Sequence, residues 1–85
     1  MDLQALRGKL DVLDEEMMGI LSKRFEVCKK VWKHKKEKNL PINDSGREAE
    51  VIKSKVEKSY LHPPFVEKLF SSIFEESKRL QGEVK

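Results

Sequence analysis

Cysteine occurs once in this 85-residue chain, at Cys28. One thiol cannot form an intramolecular disulfide, and neither His34 nor His62 has a cysteine companion at metal-ligand spacing. No intramolecular disulfide or metal is therefore expected. Proline is confined to Pro41, Pro63 and Pro64, and glycine to four positions. So little turn punctuation leaves long uninterrupted stretches, and nothing alternates with period two, which argues against strands. Internal repeats and low-complexity segments are missing as well. No apolar run approaches the roughly 20 residues of a membrane span, and no N-terminal apolar segment precedes a small-residue cleavage site. A cytoplasmic protein without a membrane partner is the expectation. A dominant charge of one sign is also lacking. Eighteen Lys and Arg against fifteen Asp and Glu leave a net charge of +3, which suits an anionic ligand without demanding nucleic acid.

What the chain does have is helical periodicity. Hydrophobic residues make up 38% and charged residues 39%, the balance of one small helical domain, here residues 1–85, with wide solvated faces. From Leu3 to roughly Lys38 the residues Leu3, Leu6, Leu10, Leu13, Met17, Leu21, Cys28 and Val31 recur at steps of three, four or seven. That is one apolar stripe, with Asp2 placed to cap its start. Asn39-Leu40-Pro41 should stop the helix, because the residue before a proline is pushed out of the helical region. Ile42-Asn43-Asp44 reads as a short connection. Ser45-Gly46-Arg47-Glu48 has the form of a capping box, with Ser45 as N-cap and Glu48 reaching back. It opens a second helix to about Ser59 that buries Val51, Ile52 and Val56. After a connection from Tyr60, Pro63 or Pro64 suits the first turn of a third helix with Val66, Leu69, Phe70, Ile73 and Leu80 as its stripe. The fold class is all-α, with a long, a short and a medium helix.

The first helix is too long for the domain. Thirty-six residues span about 54 Å, whereas a compact chain of this length is about 30 Å across. Helices two and three cannot cover that stripe. An antiparallel pairing with a second copy is the simplest cover, because a two-fold interface is self-complementary. A two-fold homodimer is thus expected from geometry.

Polar residues interrupt the apolar faces in all three helices. Arg24 and Lys35 continue the first stripe; eleven residues apart, they fall within about 20° of one face and about 16 Å along it. Ser77 and Gln81 continue the third stripe beyond Ile73, and Glu48 lies four residues before Ile52. Charges on a core face are costly unless paired, so these groups mark a place for something negative. Each also fits a plainer role. Glu48 fits a capping box, Ser77 a bond to its own backbone, Gln81 an exposed end, Arg24 a structural ion pair and Asp44 a turn. Only phase with Arg24 separates Lys35 from Lys33, Lys36 and Lys38. A basic module binding nucleic acid or an acidic partner through Lys29, Lys30, Lys33, Lys35, Lys36 and Lys38 is the alternative from another class, though it lacks arginine clusters and a recognition-helix pattern.

Taken together, Leu6-Arg7-x-x-Leu10-Asp11-x-x-Asp14, Arg24, Lys35, Asp44-x-x-Arg47-Glu48 and Ser77-x-x-x-Gln81 resemble the all-helical chorismate mutases over nearly the whole chain. The resemblance implies an enzyme without cofactors, an isomerase of aromatic amino-acid biosynthesis that converts the dianion chorismate to prephenate. It implies an intertwined homodimer of three-helix subunits, in which Arg24, and Arg7 of the other subunit, hold the two carboxylates. Residues matching Lys35 and Gln81 would address the ether oxygen of the breaking bond. Asp44 and Glu48 would lie near the ring hydroxyl, with Arg47 and Ser77 completing the carboxylate environment. Arg7 lies about 25 Å from Arg24 along the helix and off its face, which agrees with service in trans. Relatives of the family act on isochorismate or on 4-amino-4-deoxychorismate. The acids Asp44 and Glu48 favour a hydroxyl-bearing ring.

Overall fold

A computed structural model describes residues 2–41 and 44–83 and contains three helices: α1, Leu3–Glu37; α2, Ser45–Lys58; and α3, Pro63–Glu83. Among the described residues there is no strand. The expected connection at Ile42-Asn43 lies outside the described residues. Two units are distinguished, one ending at Val31 and the other beginning at Trp32.

The first unit is α1 up to Val31. Asp2 opens it as expected: its Oδ1 accepts from the Ala5 amide at 2.8 Å, and its carbonyl accepts from the Leu6 amide at 3.2 Å. An N-cap of this kind contributes about 1 kcal/mol. The apolar stripe is present in register but uncovered. No residue of α1 is buried, and Leu10, Leu13 and Met17 remain 59%, 58% and 49% exposed. Towards the end of this unit Leu21, Phe25 and Cys28 are half-buried.

The second unit holds the last turns of α1 together with α2 and α3. The stop of α1 is made earlier and by another device than the expected proline. Asn39 takes a left-handed conformation, φ 55°. The Leu40 amide then donates back to the Lys35 carbonyl at 2.8 Å and the Asn39 amide to the Lys36 carbonyl at 3.3 Å. These are the two bonds of a Schellman closure, and asparagine is among the few residues that accept its geometry. Pro41 follows a helix that has already ended.

The start of α2 corrects the capping box. Asp44, not Ser45, is the N-cap; its Oδ1 accepts from the Arg47 amide at 2.9 Å, and its carbonyl accepts from the Glu48 amide at 3.1 Å. Both residue types cap well. A carboxylate adds attraction to the positive end of the helix dipole, and the helix begins one residue earlier accordingly. Helix α2 ends at Lys58, where Ser59 turns extended and its Oγ accepts from the Leu61 amide at 2.9 Å. Helix α3 starts at Pro63, with the His62 carbonyl taking the Val66 amide at 3.1 Å. The fixed φ and missing amide of proline suit that first position.

Helix α2 packs on α3. Among the described residues the buried apolar ones are Val66 and Ile73 of α3, seven apart on one face, at 2% and 8% exposure. Val51, Ile52 and Val56 of α2 and Phe70 and Leu80 of α3 are only half-buried, and Leu69 is more open still. The stripes are where the sequence puts them, but apart from Val66 and Ile73 a single chain buries them only in part. Phe70 and Phe74 meet with ring centroids 6.1 Å apart at 52°, a tilted aromatic pair.

Candidate functional site

The eight residues singled out from sequence divide between the units. Arg7 and Arg24 belong to the first. Lys35, Asp44, Arg47, Glu48, Ser77 and Gln81 belong to the second.

In the first unit Arg7 is exposed on α1. Arg24 is half-buried, and its Nη1 donates to Cys28 Sγ one turn later, at 3.7 Å. The sequence reading took Cys28 as packing alone; the thiol also steadies the guanidinium along the helix. Sulfur is a weak acceptor, so the contact orients Arg24 without consuming its charge.

In the second unit the backbone of Lys35 is fixed by the closure of α1, because its carbonyl accepts the Leu40 amide. Its side chain is half-buried. Asp44 and Arg47 are brought together through the cap, carboxylate to amide. The guanidinium of Arg47 turns outward and lies 3.5 Å from Glu50, with both side chains largely exposed. An exposed i,i+3 pair of this kind contributes at most a few tenths of a kcal/mol.

Glu48 does not reach back to cap its own helix. Its Oε1 lies 3.1 Å from Lys78 Nζ of α3, and the glutamate side chain is 28% exposed. Position explains the difference. Glu48 stands one turn before Ile52, on the half-buried side of α2, so α3 offers it a cation while Asp44 has already taken the Arg47 amide. Lys78 was not singled out from the sequence. It lies off the α3 stripe, and only the need of Glu48 for a counter-charge could have pointed to it.

On α3, Ser77 and Gln81 extend the face that begins with Val66 and Ile73. All of Ser77, Leu80 and Gln81 are half-buried, so the polar groups do sit on the continuation of the apolar stripe. Next to Ser77, Glu76 accepts two bonds from the Arg79 guanidinium, Nε to Oε1 at 2.6 Å and Nη2 to Oε2 at 2.9 Å. That fork holds the Glu76 carboxyl below its ordinary value of 4.5. Glu76 lies at the edge of the stripe, three residues after Ile73 and four before Leu80, and is half-buried, whereas Arg79 is exposed.

An open groove lined by Ala49, Ile52, Val56 and Glu67 includes none of the eight residues. Among the described residues no group of His, Cys, Asp and Glu is arranged to hold a metal ion, and no helix is long and apolar enough to cross a membrane. What the second unit offers is a set of fixed donors and acceptors: an ammonium, an amide and a hydroxyl on one hand, two carboxylates on the other. Groups of these kinds can bind and orient a polar anion.

Comparison with known proteins identifies a family. A family model described as chorismate mutase type II matches residues 6–82. The chain is 32% identical over 78 residues to a bifunctional chorismate mutase/prephenate dehydratase from Buchnera aphidicola subsp. Baizongia pistaciae, covering 88% of this chain and 21% of that protein. It is 27% identical over 84 residues to a 4-amino-4-deoxychorismate mutase from Streptomyces pristinaespiralis, covering 95% of this chain and 65% of that one. Among solved structures, a chorismate mutase from Thermus thermophilus superposes with a TM-score of 0.84 at 28% identity, covering 88% of this chain and 96% of that chain. Several of the curated relatives are far longer, and the chain spans only about a fifth of their length.

Proposed function

The chain belongs to the type II chorismate mutase family, and on that premise we propose that it is a chorismate mutase, rearranging chorismate to prephenate in the cytoplasm as a two-fold homodimer. The observation that carries this reading is the extent of the family match. Residues 6–82 enclose all eight site residues, from Arg7 to Gln81.

The reaction is a [3,3] pericyclic rearrangement, in which a carbon–oxygen bond breaks as a carbon–carbon bond forms within one molecule. No proton is transferred and no covalent intermediate arises. The protein has two tasks. It must hold a flexible dianion in the chair-like conformer that reacts, which is an orientation effect. It must also meet the negative charge that grows on the ether oxygen with donors already in place.

In this reading Arg24 and the Arg7 of the second copy bind the two carboxylates, for which a planar guanidinium fork is well shaped. Arg47 and Ser77 complete their surroundings. Lys35 and Gln81 donate to the ether oxygen, one as a charge and one as an amide. Asp44 and Glu48 accept from the ring hydroxyl. The Schellman closure supports the role of Lys35, because the backbone carrying it has no slack. The half-buried Gln81 beyond Ile73 likewise suits a donor that must be fixed before substrate arrives.

The homodimer is supported by what one chain leaves uncovered. Helix α1 has no buried residue, and its stripe from Leu3 to Met17 is in register but open. Burying one such side chain is worth about 1.5–3 kcal/mol, and a second copy of the same helix would supply the complementary face. The Streptomyces relative favours one second reading, a mutase acting on the amino-bearing ring. A turnover assay with chorismate, isochorismate and 4-amino-4-deoxychorismate side by side tests both. Prephenate formed from chorismate alone is the expected result. Undiminished chorismate absorbance at catalytic protein concentration would overturn it.

A further inference from the structure

The Glu48–Lys78 pair joins α2 to α3 beside Ser77 and belongs to none of the roles above. We propose that Lys78 is a specificity-determining positioning residue: by pairing with Glu48 it keeps an acceptor for the ring substituent while removing net negative charge, so that a neutral hydroxyl is preferred to a cationic amine. The inference rests on the mutase reading and deepens it.

Both acids assigned to the ring substituent are compensated in this structure. Asp44 caps α2, its Oδ1 held by the Arg47 amide at 2.9 Å and facing the positive end of the helix. Glu48 has the Lys78 ammonium 3.1 Å away. An ionised carboxylate offers about four lone-pair positions, so one ammonium leaves acceptor capacity for a hydroxyl. A hydroxyl needs only that capacity. An amine on a saturated ring carbon is protonated near neutral pH, as a lysine amine is, and gains most from uncompensated negative charge. With Lys78 in place it meets instead a like charge beside its partner acid. Glu48 is three-quarters shielded and Lys78 about half, so the discrimination is modest, about two- to fivefold, as for partly exposed charge pairs.

The test measures kcat/KM of the full chain for chorismate and for 4-amino-4-deoxychorismate. Lys78→Gln should lower the hydroxyl-over-amine ratio about two- to fivefold, and Lys78→Arg, which retains the charge, should preserve it. The effect of Lys78→Gln should disappear in a Glu48→Gln background and shrink at high salt. A packing role for Lys78 would move stability without moving this ratio. An unchanged ratio in Lys78→Gln overturns the inference while leaving the mutase reading intact, as does an equal shift in the Glu48→Gln background. A wild-type chain that turns over neither substrate overturns both.

Discussion

Replacing Leu13 by aspartate should separate the proposed dimer and abolish turnover at the same time. Leu13 is 58% exposed in the single chain, so that fraction of its surface is left for a partner to cover. Full burial of a leucine is worth about 1.5–3 kcal/mol, and the uncovered part therefore about 1–1.7 kcal/mol. Two-fold symmetry counts the loss in both copies, giving about 2–3.5 kcal/mol. Dimer dissociation should weaken by about 30- to 400-fold, before any cost of desolvating two carboxylates. Sedimentation equilibrium of Leu13→Asp beside wild type and a Glu15→Gln control reads the shift. Turnover measured across the same concentrations should fall with the dimer fraction, because the proposed site draws Arg7 from the second copy. A Leu13→Asp protein that stays dimeric at wild-type concentrations would refute the placement of the interface. A monomer with full turnover would refute the shared site.

Other perturbations separate chemistry from folding. Lys35→Ala and Gln81→Ala should each lower kcat by about 10²–10³ while leaving far-UV circular dichroism unchanged; near-wild-type turnover in either would remove it from the ether oxygen. Asp44→Ala should cost about 1 kcal/mol of stability through loss of the cap. Asp44→Ser should recover the melting temperature but not kcat/KM, and recovery of both would leave Asp44 a capping role alone. Glu76 is held by Arg79 below its ordinary 4.5. A depressed folded-state value stabilises the fold above the unfolded value and ceases to do so as pH falls through the depressed one. Thermal melts between about pH 3 and 6 should therefore lose less stability on acidification in Glu76→Gln than in wild type; parallel curves would show that the pair is too solvated to matter.

Much of this fold is written in periodicity. The length of α1, the turn at Pro63 and the stripes of all three helices follow from spacing, because they depend on neighbours three and four residues away. The misreadings concern choices between near-equivalent local solutions. Asp44 and Ser45 both cap well, and only the charge of Asp44 against the helix dipole separates them. Asn39 and Pro41 both end helices, and the chain uses the first it meets. Burial is a different matter. Leu10, Leu13 and Met17 lie on the expected stripe but are open in one chain, because periodicity fixes the face a residue occupies and not what packs against it. The candidate site was legible as a pattern of polar residues on apolar faces. The same pattern hid Lys78 and the Arg24–Cys28 contact, both of which depend on where side chains end rather than where they start.

The two closures that flank the connection between α1 and α2 also have a meaning for how such a chain can change. The Schellman bonds end on Leu40, and the cap of α2 begins at Asp44. Each helix end is completed by its own residues, so neither Lys35 nor Glu48 takes its backbone setting from the connection. Residues inserted between Leu40 and Asp44 would add chain without unwinding a helical turn, and doubling such a loop costs only about 0.6 kcal/mol in closure entropy. That makes this connection a natural port for grafting a peptide, an affinity tag or a sensor element, with the helix ends on either side left as they are.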